Sequence, residues 1–205
     1  MPEATVTSQW STSSDLLSRV RERDQAAWAR FVALYAPLVY GWCRRAGASP
    51  ADAADVVQDV FAKVFTAIEQ FRHDRAGDTL RGWLRVICRN KLVDHLRKRA
   101  DEPTPTGGTD AKARLAEVPA GSESPLPEDD EPSQAGDRAA LVRRAADMVR
   151  NEFEPRTWQA FWAMAVDGLT AADAAEKLGI SAGAVRQAKY AVSRRLREEL
   201  AGEFD

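Results

Sequence analysis

The sequence predicts an all-α protein of two small helical domains joined by a flexible acidic linker. Apolar residues recur at helical spacing over most of the chain, and no stretch shows the alternation typical of a strand. The pattern vanishes between residues 101 and 136, which hold six of the ten prolines and few large apolar residues. Such a segment buries too little surface to offset the entropy lost on ordering. We therefore predict domains at 13–100 and 137–205, with a linker at 101–136.

Composition supports this division and shows that charge is segregated. With 205 residues and 44% hydrophobic residues, the chain can form one large or two small cores. The net charge of −2 hides a basic stretch, Arg72 to Arg99, with nine Lys and Arg against three acids. Between Asp101 and Asp137 ten acids stand against two bases. Asymmetry of this kind points to a polyanionic partner for the basic stretch.

The cysteines and histidines do not predict a metal or cofactor site. Cys43 and Cys88 lie in helical patterns among apolar residues, where a thiol behaves as a small hydrophobe rather than as half of a disulfide. His73 and His95 are not spaced with them as zinc ligands. There is no signal-peptide pattern, and no apolar run approaches the roughly 20 residues that cross a bilayer. We expect a cytoplasmic chain without membrane insertion and without a cofactor.

Three helices are predicted before the basic stretch. Ser13 or Ser14 caps a short helix from Asp15 to Arg23, and a longer helix runs from Asp24 to Arg45. Pro37 should kink or split the longer helix, since proline lacks a backbone donor. The third helix begins after an N-cap at Ser49 and carries a polar face of Asp52, Asp55, Gln58 and Asp59.

The basic stretch contains one long amphipathic helix, from about Thr79 to Arg99. Arg81, Arg85 and Arg89 recur every four residues and should share one side, where neighbouring like charges repel each other. A polyanion would relieve the repulsion, and a solvated surface is the alternative. The predicted buried side comprises Leu80, Trp83, Leu84, Ile87, Cys88, Leu92 and Leu96.

The C-terminal domain is predicted to end in a helix-turn-helix. A helix from Asp137 to Phe153 is followed by one that starts at Pro155 and buries Trp158, Phe161, Trp162 and Ala165 on one side. Thr170 then caps a helix over 171–178, Gly179 makes the turn, and Ser181 caps a last helix ending near Leu200. Two caps, a turn glycine and apolar spacing favour DNA binding over an ordinary helical hairpin.

The last helix has the side chains that base and phosphate contacts require. Arg186 and Gln187 can donate to base edges, and Lys189, Arg194 and Arg195 suit phosphates. The positions predicted to be exposed on this helix are Ala182, Gly183, Ala184, Arg186, Gln187, Lys189 and Tyr190.

Taken together, these segments resemble the extracytoplasmic-function (ECF) sigma factors, which are bacterial transcription initiation factors. DAADVVQDVFAKVFTAIEQF and LRGWLRVICRNKLVDHLRKR resemble sigma region 2, and GLTAADAAEKLGISAGAVRQAKYAVSRRLREEL resembles sigma region 4. Leu80 departs from the Phe that the family often has. The segment Glu152–Trp162 departs from its usual Leu-Pro start.

The resemblance implies a non-enzymatic factor that binds core RNA polymerase and promoter DNA. The N-terminal domain would read and open the −10 element, and the C-terminal helix would read the −35 element. Many relatives are held inactive by an anti-sigma factor, although nothing in this sequence shows one, and we expect a monomer when the chain is free. The implied polymerase contacts are Asp52, Asp55, Gln58 and Asp59. The implied −10 contacts are Arg72, Arg85, Arg89, Asn90, Lys91, Asp94 and Arg97, and the −35 contacts are Arg186, Gln187, Lys189, Tyr190 and Arg194.

Three alternative functions make different demands on the sequence. A conventional helix-turn-helix repressor or activator would bind a palindromic site without polymerase. A pure interaction module would bind polymerase without reading a promoter. An enzyme is disfavoured, because the sequence has no glycine-rich phosphate loop and no nucleophile paired with a base.

Overall fold

A computed structural model describes residues 16–71, 79–101 and 131–200 of this chain, and every element in these ranges is helical. The predicted all-α class is confirmed for the described residues. Ser13, Ser14, the 72–78 loop and most of the predicted linker lie outside them. The α-helices are Leu16–Arg21 (α1), Gln25–Arg45 (α2), Pro50–Ala67 (α3), Leu80–Asp101 (α4), Glu131–Val149 (α5), Pro155–Ala165 (α6), Ala171–Leu178 (α7) and Ala182–Glu199 (α8). Short 3₁₀ turns follow α3 at Ile68–Gln70 and α5 at Arg150–Glu152.

Helix α2 continues through Pro37 from Gln25 to Arg45. Of the two expected outcomes, a kink or a split, the split is therefore wrong. Proline removes one backbone donor, which leaves the carbonyl of Ala33, four residues earlier, without its helical partner. Arg144 of α5 supplies a donor, because its Nη1 donates to this carbonyl at 3.4 Å. The backbone acceptor that Pro37 frees is therefore satisfied from another part of the chain.

Helices α1 to α4 surround the larger core. Helix α3 packs on α2 and α4, and α1 packs on α2. The centre is aromatic, with Phe31 between Tyr35 (ring centroids 4.8 Å apart) and Phe61 (6.0 Å). On α4 the predicted apolar side is confirmed. Leu80, Leu84, Ile87, Cys88 and Leu92 are buried, while Trp83 and Leu96 are partly buried against the same core.

Helix α5 begins at Glu131, inside the segment predicted to be linker, rather than at Asp137. Asp137 is not a helix start but a buried residue, 5% exposed, to which the indole Nε1 of Trp42 donates at 2.7 Å. Arg45 also pairs with Asp137 at 3.0 Å. Trp42 and Arg45 thus hold this turn of α5 from a distant part of the sequence, and local composition does not predict such partners.

Helix α6 buries only part of the face that was predicted. Trp158 and Phe161 are buried, but Trp162 is 41% exposed and Ala165 is also exposed. The small residues Ala160 and Ala163 take their place in a core with α7 and α8. The helix therefore divides its buried side between two clusters, with its large rings in one and its alanines in the other.

The two halves of the chain contact each other in the structure. Helix α5 packs on α2 and also on α8. Leu141, Ala145 and Leu200 belong to the same buried cluster as the core of α1 to α4. None of the helices in the described ranges is long and apolar enough to cross a membrane.

Candidate nucleic-acid interface

The helix-turn-helix has the local geometry that the sequence predicts. Thr170 caps α7 by accepting from the backbone N–H of Asp173 at 3.2 Å. Gly179 ends α7 in the left-handed region with φ 64°. Ser181 then caps α8 by accepting from the backbone N–H of Ala184 at 3.1 Å. The turn and both caps fix the direction in which α8 leaves.

Small residues bring α6, α7 and α8 close together. Val185 and Ala188 are buried on the inner face of α8. They pack with Ala174 of α7 and with Ala160 and Ala163 of α6. Because these alanines are short, α8 is held against its neighbours by one face while its other face stays open to solvent.

The outer face of α8 presents the side chains predicted to contact DNA. Tyr190 is 64% exposed, the largest exposed fraction among the large apolar side chains of the described residues. Arg194 is also exposed and pairs only weakly with Glu198, at 3.6 Å one turn away. The exposed set is Arg186, Gln187, Lys189, Tyr190 and Arg194.

Arg195 lies outside this face, contrary to its expected phosphate role. Its Nε donates to Glu152 at 2.7 Å and its Nη2 pairs with Glu199 at 2.8 Å. Burial alone would lower the pKa of Arg195, but its hydrogen bond to Glu152 and the charge of Glu199 raise it, so the guanidinium stays charged. The charge is committed to intramolecular partners.

The arginines of α4 do not form one exposed row. Arg81 is 2% exposed and its Nη2 donates to Gln134 of α5 at 3.4 Å. Arg85 is 9% exposed, and its guanidinium lies 5.5 Å from the centre of the Trp42 ring. Arg89 is exposed. The expectation of a shared solvent-facing row is therefore wrong for this conformation, and Arg85 is covered.

Four of the other described −10 candidates lie on the outer side of α4. Lys91 is partly buried, and Arg72 lies outside the described residues. Val86 joins this side with 48% exposure, which the sequence reasoning missed. Val86 falls outside the apolar spacing of α4, and this position is the sequence signal that could have predicted its exposure. The exposed candidates are Arg89, Asn90, Asp94 and Arg97.

The acidic face of α3 is divided between exposed and engaged residues. Asp55, Gln58 and Asp59 are exposed. The Asp52 side chain is only 13% exposed and is held by three groups of α4 and of its own cap. They are Ser49, whose Oγ donates at 2.6 Å, His95, with Nε2 at 3.0 Å, and Arg99.

These partners also determine the ionisation of Asp52. Burial would raise the pKa of its carboxyl, but the hydrogen bonds from Ser49 and His95 and the charge of Arg99 lower it overall. Asp52 thus ties the start of α3 to the end of α4, whereas the neighbouring acids are free to meet a partner.

The cysteines are buried as predicted. Cys43 and Cys88 are both free thiols, with their sulfur atoms 3.6 Å apart across α2 and α4. The hydrogen bond between the two thiols, together with burial, raises the pKa of Cys88 well above its usual range, so this thiol stays protonated. In the part of the chain that the structure describes, no three His, Cys, Asp or Glu residues are grouped to hold a metal ion.

Comparison with known proteins shows what this chain is similar to. Residues 31–102 match Sigma-70 region 2, which covers most of α2 and all of α3 and α4. The ECF RNA polymerase sigma factor RpoE of Cereibacter sphaeroides is 36% identical over 90 residues, covering 43% of this chain and 49% of that protein. SigE of Mycolicibacterium smegmatis, with the same description, is 27% identical over 184 residues, covering 87% of this chain and 64% of that protein.

SigW of Bacillus subtilis, another ECF RNA polymerase sigma factor, is 28% identical over 116 residues, covering 55% of this chain and 59% of that protein. The chain thus spans between about half and two thirds of the length of these relatives. A solved structure of the RsbN–BldN complex aligns with 20% identity and a TM-score of 0.36, covering 89% of this chain and 97% of that one. The resemblance to ECF sigma factors is confirmed by the sequence matches.

Proposed function

We propose, from its relationship to the ECF RNA polymerase sigma factors, that this chain binds core RNA polymerase and directs it to specific promoters. The observation that carries the proposal is the pairing of two features in one chain. A Sigma-70 region 2 match spans α2 to α4. A helix-turn-helix follows it in the sequence, and the second helix of this motif is capped, exposed and basic. A simple DNA-binding protein needs only the second feature.

Polymerase binding is assigned to the outer face of α3. Asp55, Gln58 and Asp59 are exposed together, whereas Asp52 supports this face from within by holding α3 to α4. We therefore propose the three exposed residues as direct contacts and Asp52 as a positioning residue.

Promoter reading is assigned to two helices. Helix α8 would enter the major groove at the −35 element, with Arg186 and Gln187 on base edges and Lys189 and Arg194 on phosphates. The outer side of α4, with Arg89, Asn90 and Arg97, would contact the −10 strand. Arg72, outside the described residues, remains a −10 candidate by its sequence position. Linking two weak readers gives a specificity that neither has alone.

The organisation that serves this function has two domains, with the boundary of the second moved to Glu131 where α5 begins. The factor would act in the cytoplasm as a monomer and would not be an enzyme, since the polymerase performs the chemistry. An anti-sigma factor as a further partner stays a prediction.

The decisive experiment is in vitro transcription with purified core polymerase on fragmented genomic DNA, with and without this chain. We expect new, discrete transcript start sites only when both are present. Tight binding of the chain alone to these start regions at physiological salt would contradict the proposal, and a palindromic site would then indicate a conventional repressor or activator.

Two sets of variants assign the roles. Asp55→Arg should abolish co-purification with core polymerase, while Glu22→Arg, an equal charge change at another exposed position, should not. Replacing Arg186 and Gln187 with Ala should leave polymerase binding intact and remove start-site selection. Transcription that survives the second change would mean that the chain binds polymerase without reading the −35 element.

A further inference from the structure

The two cysteines of this chain form one buried pair that the proposed function does not use. Cys43 of α2 and Cys88 of α4 are both 0% exposed and belong to the core of α1 to α4. Their sulfur atoms lie 3.6 Å apart. An alanine or valine would fill either position as a small hydrophobe, so packing alone does not explain why two thiols meet here.

The distance between the two sulfur atoms is short enough for a bond to form without moving the helices far. Atoms 3.6 Å apart are already in van der Waals contact. Rotation of the two side chains, with a small adjustment of the backbone, brings such atoms to bonding distance. Because α2 and α4 pack directly on each other, the folded chain keeps Cys43 and Cys88 together.

The two thiols are not equivalent. The hydrogen bond from Cys88 lowers the pKa of Cys43, although burial would raise it. The same hydrogen bond, together with burial, raises the pKa of Cys88 well above its usual range, and the charge of Arg85 opposes this only in part. Cys43 is therefore the thiol that ionises, and Cys88 donates to it. An attacking thiolate beside a protonated partner thiol is the arrangement of a redox-active pair.

We propose that Cys43 and Cys88 are a thiol modification site, which a small hydroperoxide oxidises to a disulfide within the chain. The Cys43 thiolate attacks one oxygen of hydrogen peroxide and the O–O bond breaks. The other oxygen takes up the proton that Cys43 released and leaves as water, so that Cys43 becomes a sulfenic acid. The Cys88 sulfur then attacks the Cys43 sulfur, the S–O bond breaks, and hydroxide leaves with the Cys88 proton as a second water. Two thiols lose two electrons, and one peroxide gains them.

Burial determines the class of oxidant. A folded core admits reagents only through brief local openings, and a smaller reagent needs a smaller opening. Hydrogen peroxide has two heavy atoms, whereas the disulfide of oxidised glutathione is flanked by two peptides. Cys43 and Cys88 should therefore react with the peroxide and not by exchange with glutathione disulfide. In a reducing compartment a disulfide of this kind is transient, which is typical of redox sensing rather than of a permanent cross-link.

The disulfide would close a loop that contains the whole of α3. Cys43 and Cys88 are 45 residues apart in sequence, and α3 (Pro50–Ala67) lies between them. A cross-link that closes a long loop stabilises a protein mainly by restricting its unfolded chain. The oxidised chain should therefore melt about 5–10 °C above the reduced chain. The reaction needs neither polymerase nor DNA, so it does not depend on the proposed function.

Mass spectrometry of the full chain tests the site directly. The folded, reduced chain is treated with hydrogen peroxide, quenched with catalase, and unfolded in the presence of a maleimide that labels free thiols. We expect an unlabelled monomer lighter by two hydrogen atoms, a tryptic cross-link between the Cys43 and Cys88 peptides, and full reversal by dithiothreitol. A folded chain that keeps both thiols, or that forms only dimers or sulfonic acids, would overturn the proposal.

Oxidised glutathione is the matched reagent for the class of oxidant. Applied to the folded chain for the same time, it should leave both thiols free for the maleimide. The same reagent applied to the unfolded chain should modify them, which shows that the fold provides the protection. Glutathione adducts or a disulfide in the folded chain at a rate equal to that with peroxide would contradict selection by burial.

Single serine variants test which thiol attacks. Cys88→Ser keeps a hydroxyl donor beside Cys43 but lacks the second sulfur, so it should stop at the sulfenic acid of Cys43. Cys43→Ser leaves only the thiol that stays protonated and should react several times more slowly. Dimedone added as the chain unfolds traps the sulfenic acid for measurement, and circular dichroism before oxidation checks the fold. Equal trapping in the two variants would contradict Cys43 as the attacking thiol.

Thermal unfolding measures the consequence of the bond. The peroxide-treated parent should melt about 5–10 °C above the reduced parent. The double variant with alanine at both cysteines is the control for other oxidation, such as that of Met148 and Met164, and its melting temperature should not rise with peroxide. A cross-linked parent that melts at or below the reduced parent would overturn the stabilising role of the disulfide.

Discussion

Gly179 and Gly183 lie four residues apart in the helix-turn-helix and place opposite demands on a side chain. Gly179 has φ 64°, and a Cβ built there would meet nothing within 4 Å, so only the backbone conformation resists substitution. Gly183 lies inside α8 with no positive φ, and a Cβ there would contact only the Ser181 Oγ at 3.7 Å. The first glycine is required by geometry, and the second weakens the helix that it belongs to.

Alanine should therefore change stability in opposite directions at these two glycines. Gly179→Ala should lower the free energy of unfolding by about 1–2 kcal/mol, because an L residue is strained in the left-handed region. Gly183→Ala should raise it by about 0.5–1 kcal/mol through better helix propensity. Urea unfolding at neutral pH measures both, and equal effects at the two positions would contradict the assigned geometry.

Asp52 makes stability depend on pH, because its pKa is lowered in the folded chain. A lowered pKa adds stability above the ordinary value of 3.8, and this is lost as pH falls through the folded-state pKa. Asp52→Asn should cost about 1–2 kcal/mol at pH 7, with a difference from the parent that shrinks below the ordinary value. Asp55→Asn, at an exposed neighbour, is the control and should change little. A difference that is constant across pH would rule out the ionised contact.

Helix α4 shows what periodicity can and cannot predict. The apolar spacing predicted the buried side of α4, because the apolar face of an amphipathic helix is buried whichever element it packs against. It did not identify the burial of Arg81 and Arg85. Their burial depends on Gln134 and Trp42, which both lie far away in sequence. Gln134 belongs to α5, and Trp42 approaches Arg85 through the packing of α2 on α4. The sequence placed the start of α5 at Asp137 rather than at Glu131 for a similar reason. The partners that bury Asp137 within this helix, Trp42 and Arg45, are distant in sequence.

The exposed part of α4 should carry the salt-dependent contact with DNA. Arg89→Ala should weaken promoter opening and make the salt dependence of binding by the polymerase complex shallower by about one phosphate equivalent. Arg19→Ala, which removes an arginine of α1 that is paired with Asp24, serves as the control. A salt slope in Arg89→Ala equal to that of the parent would mean that Arg89 does not meet a phosphate.

At the scale of the whole molecule, the core of α1 to α4 extends to α5 and to Leu200 after α8, while α6 to α8 also form two clusters of their own. Leu141 of α5 is 2% exposed and lies in the cluster formed by α1 to α4, together with Ala145 and Leu200. Two halves that share buried apolar surface unfold together as long as the shared contact exceeds the difference in their stabilities. The parent chain should therefore unfold in one calorimetric transition.

Leu141→Ala tests this cooperativity without touching a charge. The change should cost about 2–4 kcal/mol by leaving a cavity between α2 and α5, and it should divide the single transition into two. Val142→Ala, at the next residue, which is 37% exposed, should cost less than about 1 kcal/mol and leave one transition. Differential scanning calorimetry of the parent and both variants measures the number of transitions. If Leu141→Ala and Val142→Ala behave alike, α5 does not share the core of the N-terminal helices, because only Leu141 reaches that core.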